Sequence, residues 1–326
     1  VPLFEDIWKK VNPTKVTKFK TLIQSNVPTL NQDGELTTKR TAPAGHGLFG
    51  YEIVNSIFND QDRPTQDNLI CCIGNGEDLS STPDKAVVNW MLKEEVPICM
   101  VTTTKTKNDM KGGQISLIDK GEEGVFLTII EKAQAQEAGQ IELFSEIGLR
   151  DGDKDAFFNT NLVLLNIDVL RKLFSKVDKE ELLQQAIPDV ILNNKVQDGS
   201  TYTQLEGAMG SVYLNLDNYW RRKFNQPLVH IMNVSKVNRT RFFSPIKSAF
   251  DYFIQYHSDR FTFNQETFHL TDNKPGLLPR VNLPDEYKNL SVVFEDFQGS
   301  KLRDLASINL EKRRSFTNQN LSGDIK

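Results

Sequence analysis

The sequence predicts an α/β fold whose central strands run largely parallel beneath helices. Two apolar runs carry that reading, Leu69–Ile73 in "NLICCIGN" and the segment "PICMVTTT" after Val96; neither alternates with polar residues, as expected of strands covered on both faces. Between them "AVVNWMLKEE" has helical patterning and follows Thr82 and Pro83, a suitable N-cap and first-turn pair, so strand, helix and strand form one βαβ unit. The chain has 326 residues, enough for one large α/β domain or for two domains.

The flanking elements follow in order. A helix is expected around Trp8 and Val11, then a short strand in "KTLIQSNVPTL". After Gly47, Leu48, Phe49, Val54, Ile57 and Phe58 fall near helical spacing, up to "NDQDRP". Beyond the βαβ unit, "QISLID" and "VFLTIIEK" flank "KGEEG" as a hairpin. "DAFFNTNLVLLN" reads as a strand feeding the helix "IDVLRKLFSKV", and "YTQLEGAMGSVYLNL" reads as helical from Gln204, with Glu206 as a helix-surface acid. "VHIMNVS" is strand-like, and Phe250, Phe253 and Tyr256 form a core-facing stripe on the helix "SPIKSAFDYFIQYHSDRF". From about Phe263 the chain turns irregular. The division is therefore residues 1–265 as the main domain and 266–326 as a smaller C-terminal region.

Composition narrows the class. A hydrophobic share of 38% and a charged share of 25% suit a soluble globular protein. The net charge of −4 gives no argument for nucleic acid, and "EKRRSF" is read as a solvated face. No long apolar run suggests a membrane span, and the mixed opening "VPLFEDIWKKVNP" does not read as a signal peptide. Cys71, Cys72 and Cys99 are odd in number and lie in strand-like runs, so they are expected as buried free thiols in a reducing, cytoplasmic setting. His46, His230, His257 and His269 lack metal-ligand spacing. Oligomeric state leaves no mark in the sequence.

Two loops carry chemistry. In "TAPAGHGLFGYEI", Gly45 and Gly47 flank His46, so the backbone there can turn tightly or lie close against a flat ligand. The loop opens a helix, whose first free N–H groups can face a ligand. In "NGED", Glu77 and Asp78 follow a strand, where doubly wound sheets place their ligands. Such carboxylates suit Mg²⁺, which prefers hard oxygen ligands and shared phosphates.

Read in order, "TAPAGHGLFGYEI", "NLICCIGNGEDLSSTPD", "VTTTKTKNDMKGG", "IIEKAQ", "FFNTNLVLL", "NNKVQDG", "LEGAMG" and "NRTRFFSPIK" resemble the eukaryotic-type UTP–glucose-1-phosphate uridylyltransferases, or UDP-glucose pyrophosphorylases, from about Lys20 onward. The resemblance implies a Rossmann-like, mixed and mainly parallel sheet of the nucleotide-diphospho-sugar transferase type, followed by the start of a parallel β-helix, at "LSGDIK". It implies Mg²⁺-dependent formation of UDP-glucose and pyrophosphate from UTP and glucose 1-phosphate. Gln24 matches the glutamine that reads the uracil edge, and an amide suits that task because it both donates and accepts. By the same resemblance Gly45 meets the uridine, His46 the sugar phosphate, Asn75 the ligand, and Glu131 and Asn161 the sugar hydroxyls. Glu77 stands where the family has a metal-binding aspartate, with Asp78 able to share or take that role. Lys247 matches the lysine that neutralises charge on the transferring phosphoryl group, with one residue more than the family pattern between arginine and proline.

The family's Gly-Gly-x-Gly-Thr loop near its start has no counterpart, since no glycine precedes Gly34. The sequence is accordingly expected to be a trimmed piece of an enzyme. Two alternatives stay open: a non-catalytic sugar-nucleotide-binding protein without the phosphate loop, and the UDP-N-acetylhexosamine pyrophosphorylase branch, against which the intact Gly-His-Gly argues.

Overall fold

The computed structural model of the chain describes residues 6, 9–10, 23–59, 68–106, 109, 112–146, 157–197, 199–267, 269–275 and 279–326. The helix expected around Trp8 and Val11 lies outside the described residues. The strands are β1 (Asn26–Leu30), β2 (Leu36–Pro43), β3 (Ile70–Ile73), β4 (Ile98–Thr103), β5 (Gln114–Asp119), β6 (Val125–Ile130), β7 (Phe158–Asn166), β8 (Val190–Gln197), β9 (Ser200–Gly207), β10 (Val229–Val234), β11 (Phe261–Asn264), β12 (His269–Asp272), β13 (Arg280–Asn282), β14 (Leu305–Asn309) and β15 (Gly323–Ile325). The helices are α1 (His46–Asn59), α2 (Lys85–Lys93), α3 (Lys132–Glu137), α4 (Ile141–Glu146), α5 (Ile167–Phe174), α6 (Lys179–Gln185), α7 (Met209–Phe224), α8 (Arg239–Phe242), α9 (Ala249–Tyr256) and α10 (Leu290–Phe297).

A six-stranded sheet in the order β10-β4-β7-β5-β6, with β3 also on β7, forms the centre. Strand β4 pairs parallel with β10, and β7 runs against β3, β4 and β5. Thus β3, β4, β5 and β10 point one way, and β7 and β6 the other. The sheet is covered on both faces, and its central strands β4 and β7 are buried at almost every position, with apolar runs at Ile98–Val101 and Leu162–Leu165. From β4, Ile98 and Met100 enter a core shared with Val54 and Ile57 of α1 and Val212, Leu216 and Trp220 of α7. Cys99 and Val101 face the opposite way, onto Val87 and Met91 of α2. Strand β7 splits likewise, Val163 and Leu165 against Leu162 and Leu164. Each such fully buried side chain contributes roughly 1.5–3 kcal/mol of burial free energy.

Strand β3 departs from the expectation of full burial. Ile70, Cys71 and Cys72 are half-buried, and only Ile73 is buried. The reason is position: among the described residues β3 is bonded to β7 alone and lies at the sheet margin. Cys71 and Cys72 are therefore half-buried thiols, whereas Cys99 is buried as expected.

A second sheet, β2-β1-β9-β8, is antiparallel. It corrects one expectation: Gln204, Leu205 and Glu206 belong to strand β9, and the helix starts only at Met209. This sheet delivers two loops to one place. Strand β2 runs into Gly45-His46-Gly47, and β9 runs into Gly207 and α7.

The C-terminal residues form their own core. Phe297, Leu305, Ile308 and Phe316 pack there with Phe250 and Phe253 of α9, a helix placed in the first region by the division at 265. Tyr256, the third residue of that stripe, is 37% exposed. Strands β13, β14 and β15 stack in parallel, the pattern with which a parallel β-helix begins. Among the described residues no helix is long and apolar enough to cross a membrane.

Candidate active site

Glycine is required at 45 and 47 by another backbone. Gly45 has φ +81°, and a Cβ there would lie 2.8 Å from the carbonyl oxygen of Gly207. A Cβ on Gly47 would lie 2.6 Å from the Gly207 carbonyl carbon. The two loops thus meet backbone to backbone, and the Gly207 N–H donates to the Ala44 carbonyl at 3.0 Å. Between the glycines, His46 Nδ1 accepts the Met209 N–H at 2.8 Å. That bond satisfies an orphan donor in the first turn of α7, whose N-cap Ala208 has no side-chain acceptor. An accepting Nδ1 leaves the proton of the neutral ring on Nε2, so the outer edge of His46 is a hydrogen-bond donor. Burial of the inner edge lowers the His46 pKa, and the charges of Glu206 and Glu77 oppose that shift.

Glu206 also acts on Glu131. Burial first, and then the Glu206 charge, pushes the Glu131 carboxyl up to about 7. Glu131 precedes α3, and its backbone N–H donates to the Gln134 side chain at 2.9 Å. Its Oε1 sits 2.5 Å from where a Cβ on Gly113 would be, so this glycine leaves the space that the carboxylate fills. On β7 the register slips between Val101 and Thr102, and Asn161 adopts φ +61° at that irregularity. The Asn159 amide donates to Asn161 Oδ1 at 2.8 Å, which turns a polar edge out of an otherwise apolar strand.

The acidic turn and the lysine segment are one unit. The Ile246 N–H donates to the Glu77 carbonyl at 2.8 Å, the Leu79 N–H donates to the Ser244 carbonyl at 3.3 Å, and Asp78 and Pro245 form an antiparallel bridge. Asp78 lies inside this junction, 6% exposed. Its Oδ1 accepts the Ser244 N–H at 2.7 Å and the Ser80 N–H at 3.1 Å. Burial raises its pKa, and those two N–H donors oppose the rise. Glu77 faces outward, with Oε1 3.4 Å from Lys247 Nζ; both side chains are more than half exposed. A solvated pair of that kind is worth about 0–1 kcal/mol, so either partner can be given up to a ligand at little cost.

The same segment is anchored upstream. Arg239 pairs with Asp109 at 2.8 Å, both buried, and the Ser80 hydroxyl donates to the Thr240 carbonyl at 2.6 Å. Phe243, next to the extra residue of this segment, packs its ring 5.8 Å from that of Phe158.

The remaining sites differ in how firmly they are placed. Asn75 is half-buried in the acidic turn, and its carbonyl accepts the Asp78 N–H at 3.1 Å. Gln24 is exposed, but the next residue, Ser25, accepts the Ala44 N–H at 3.1 Å, which sets it beside the Gly45 loop. Sequence reasoning missed Glu206, Gly113 and Asn159 as members of the site. All three sit in quoted motifs, so their signal was present; the role of Glu206 was hidden by the helical reading of its strand.

Residues 4–318 match the family model described as UTP–glucose-1-phosphate uridylyltransferase. Among relatives, UTP–glucose-1-phosphate uridylyltransferase 2 of Dictyostelium discoideum is 26% identical over 284 residues, covering 86% of this chain and 50% of its own. The Saccharomyces cerevisiae enzyme of that name is 22% identical over 295 residues, covering 88% and 53%. The chain thus spans about half the length of these relatives. Among solved structures, a UDP-glucose pyrophosphorylase variant from Leishmania major superposes with a TM-score of 0.65 at 22% identity, covering 99% of this chain and 67% of that one. A Trypanosoma brucei protein titled UDP-glucose phosphorylase gives 0.66 at 17% identity, covering 100% and 72%. The structural likeness establishes the fold, and the match along almost the whole chain establishes that it belongs to the UTP–glucose-1-phosphate uridylyltransferase family.

Proposed function

We propose that the protein transfers a uridylyl group from UTP to glucose 1-phosphate. A phosphate oxygen of the sugar phosphate bonds to the α-phosphorus of UTP, the bond from that phosphorus to the bridging oxygen of the β-phosphate breaks, and pyrophosphate leaves. The observation that carries this reading is the Glu77–Lys247 pair, held on a doubly bonded junction beside His46. Family relatives named for this activity support it, as does a Leishmania major variant solved in complex with UDP-glucose.

In this reading the Gln24 amide pairs with the uracil edge, and the backbone at Gly45 and Asn75 frames the nucleotide. The Nε2–H of His46 donates to the sugar phosphate. Glu131, Asn161 and Glu206 hold the sugar hydroxyls. Lys247 Nζ leaves Glu77 for the oxygens on the α-phosphorus, where a fixed cation stabilises charge that grows in the transition state. Mg²⁺ fits the outward carboxylate of Glu77, a hard donor left with only a weak partner, and it takes most of its other ligands from phosphates and water. When bound, it would neutralise charge between the phosphate groups. Asp78 commits Oδ1 to two backbone donors, and its Oδ2, buried without a hydrogen-bond partner, is the one oxygen it could turn to a metal.

The test is Lys247→Ala in the full chain, following UDP-glucose and pyrophosphate formation alongside a UDP-glucose titration. We expect kcat to fall by about 100-fold with nucleotide affinity little changed, the loss of one transition-state donor. Unchanged kcat would overturn the role of Lys247. Binding of UDP-glucose without turnover by the unmodified full-length protein would instead favour a non-catalytic sugar-nucleotide-binding protein.

A further inference from the structure

The geometry points to Asp78 as the positioning residue that fixes the distance between Glu77 and Lys247. The proposal rests on the uridylyltransferase reading and adds to it a residue that acts through the two bonds of its Oδ1. Glu77 and Lys247 belong to segments 170 residues apart in the chain. Two backbone bonds join these segments, from Ile246 to Glu77 and from Leu79 to Ser244. Two backbone bonds between loops, donated by the half-buried Leu79 and Ile246, are a slender join on their own. What separates this junction from an ordinary loop contact is the carboxylate inside it. Asp78 Oδ1 receives one donor from its own turn, the Ser80 N–H at 3.1 Å, and one from the opposite segment, the Ser244 N–H at 2.7 Å. One oxygen therefore shapes the acidic turn and pins the lysine segment to it. The Ser244 hydroxyl continues the connection, donating to Gln255 on α9 at 2.9 Å. Lys247, three residues past Ser244, has no comparable hold of its own. Its side chain is 61% exposed, and its backbone N–H donates to Asp251. The position of Nζ is inherited from the junction.

Reaction geometry is sensitive to such placement, since a displacement of about 1 Å can cost on the order of 100-fold in rate. Removing the Oδ1 acceptor should free the Ser244 segment without altering any group that binds nucleotide or sugar. Asn keeps an oxygen at the Oδ1 position and lacks the charge that a metal ligand would need.

The experiment compares Asp78→Asn and Asp78→Ala in the full chain. It reads kcat, KM for UTP and glucose 1-phosphate, the Mg²⁺ concentration for half-maximal rate, and hydrogen exchange at the amides of Ser244 and Ile246. Asp78→Ala should lower kcat by about 100-fold, change either KM by less than about 3-fold, and speed exchange at both amides. Asp78→Asn should return kcat to within about 5-fold of the original, restore protection, and leave the Mg²⁺ requirement unchanged. An Asn variant as slow as Ala despite normal protection, or one that needs several-fold more Mg²⁺, would overturn the proposal in favour of direct metal ligation. An Ala variant with unchanged kcat and unchanged exchange would overturn it as well. If the unmodified full-length protein makes no UDP-glucose, the functional reading fails, and the exchange comparison still decides the clamp: protection lost in Ala and kept in Asn supports it, and protection kept in both overturns it. If Asp78→Ala loses its cooperative thermal transition, Asp78→Asn decides alone by the same kcat, Mg²⁺ and exchange criteria.

Discussion

Glu131 is the residue whose environment departs furthest from water among the proposed sugar contacts. Its carboxyl is held near 7 by burial and by Glu206, against about 4.3 in an unfolded chain. A raised folded-state value means that the folded protein binds the extra proton between those two points. Its contribution to stability is complete below about pH 4 and is lost as pH rises through about 7, with an upper bound on the order of 3 kcal/mol. Glu131→Gln should therefore flatten the decline in melting temperature between pH 5 and pH 7.5; an identical decline in the variant would sink this account. Gly45 offers a test of a different kind. With φ +81° and a Gly207 oxygen 2.8 Å from the added Cβ, Gly45→Ala combines left-handed strain with a clash against backbone that cannot rotate away. We expect a loss of more than about 2 kcal/mol in chemical denaturation. A loss below about 0.5 kcal/mol would mean that the two loops separate freely.

At the scale of elements, what the sequence showed depended on whether a strand's surroundings were local. Strand β4 was legible because every residue is buried, so its composition alone declares it. Strand β3 looked the same but, among the described residues, has a neighbour on one side only, and no run of five residues can reveal its place in a sheet. Strand β9 was misread because its middle residues are all half-buried, without the alternation that marks a strand, and because it runs straight into a true helix at Met209. The proposed functional residues divide in the same way. Glu77 and Lys247 were visible as motifs, whereas the bond that makes them neighbours, Asp78 to Ser244, spans 166 residues and lies between two unremarkable loops. Helix α7 gives a test at this scale. Its first turn takes its acceptor from His46 on another element, so His46→Ala should remove a cap as well as the proposed ligand contact. The expected destabilisation is about 1 kcal/mol, the usual size of a lost N-cap. Because burial lowers the His46 pKa, its stabilising effect is present above about pH 6.5 and fades as the solution is acidified below that. The gap between the original and His46→Ala should therefore narrow on acidification, and a gap that widens would contradict the capping role.

Across the whole molecule, the arm of the proposed active site, the segment Arg239–Lys247, and a C-terminal hairpin, formed by the antiparallel strands β11 and β12, meet at one carboxylate. Asp84 caps α2 by accepting the N–H groups of Ala86 and Val87, and its side chain is almost fully buried. Its Oδ2 accepts from Arg241 Nε at 2.7 Å, on the helix that leads to Lys247, and lies 3.5 Å from Nε2 of His269 on β12. Burial pushes the Asp84 pKa up, but the Arg241 guanidinium and the cap donors outweigh it and hold the group below the usual carboxylate range. The His269 pKa is lowered by burial and by the Arg241 charge, with Asp84 acting in the opposite direction. Removing Arg241 should then do two things at once. Asp84 loses the cation that offsets its burial, so Arg241→Ala should lower stability at neutral pH by about 1–3 kcal/mol. His269 loses a repelling charge and keeps an attracting one, so its pKa should rise. The imidazole proton shifts of His269, followed by NMR through a pH titration of both proteins, report the second effect separately from the first. A rise in Arg241→Ala shows that the hairpin and the arm share a field at Asp84. An unchanged or lowered value would mean that His269 senses only its own burial, and that the C-terminal hairpin rests on the main domain without electrostatic coupling to the arm that carries Lys247.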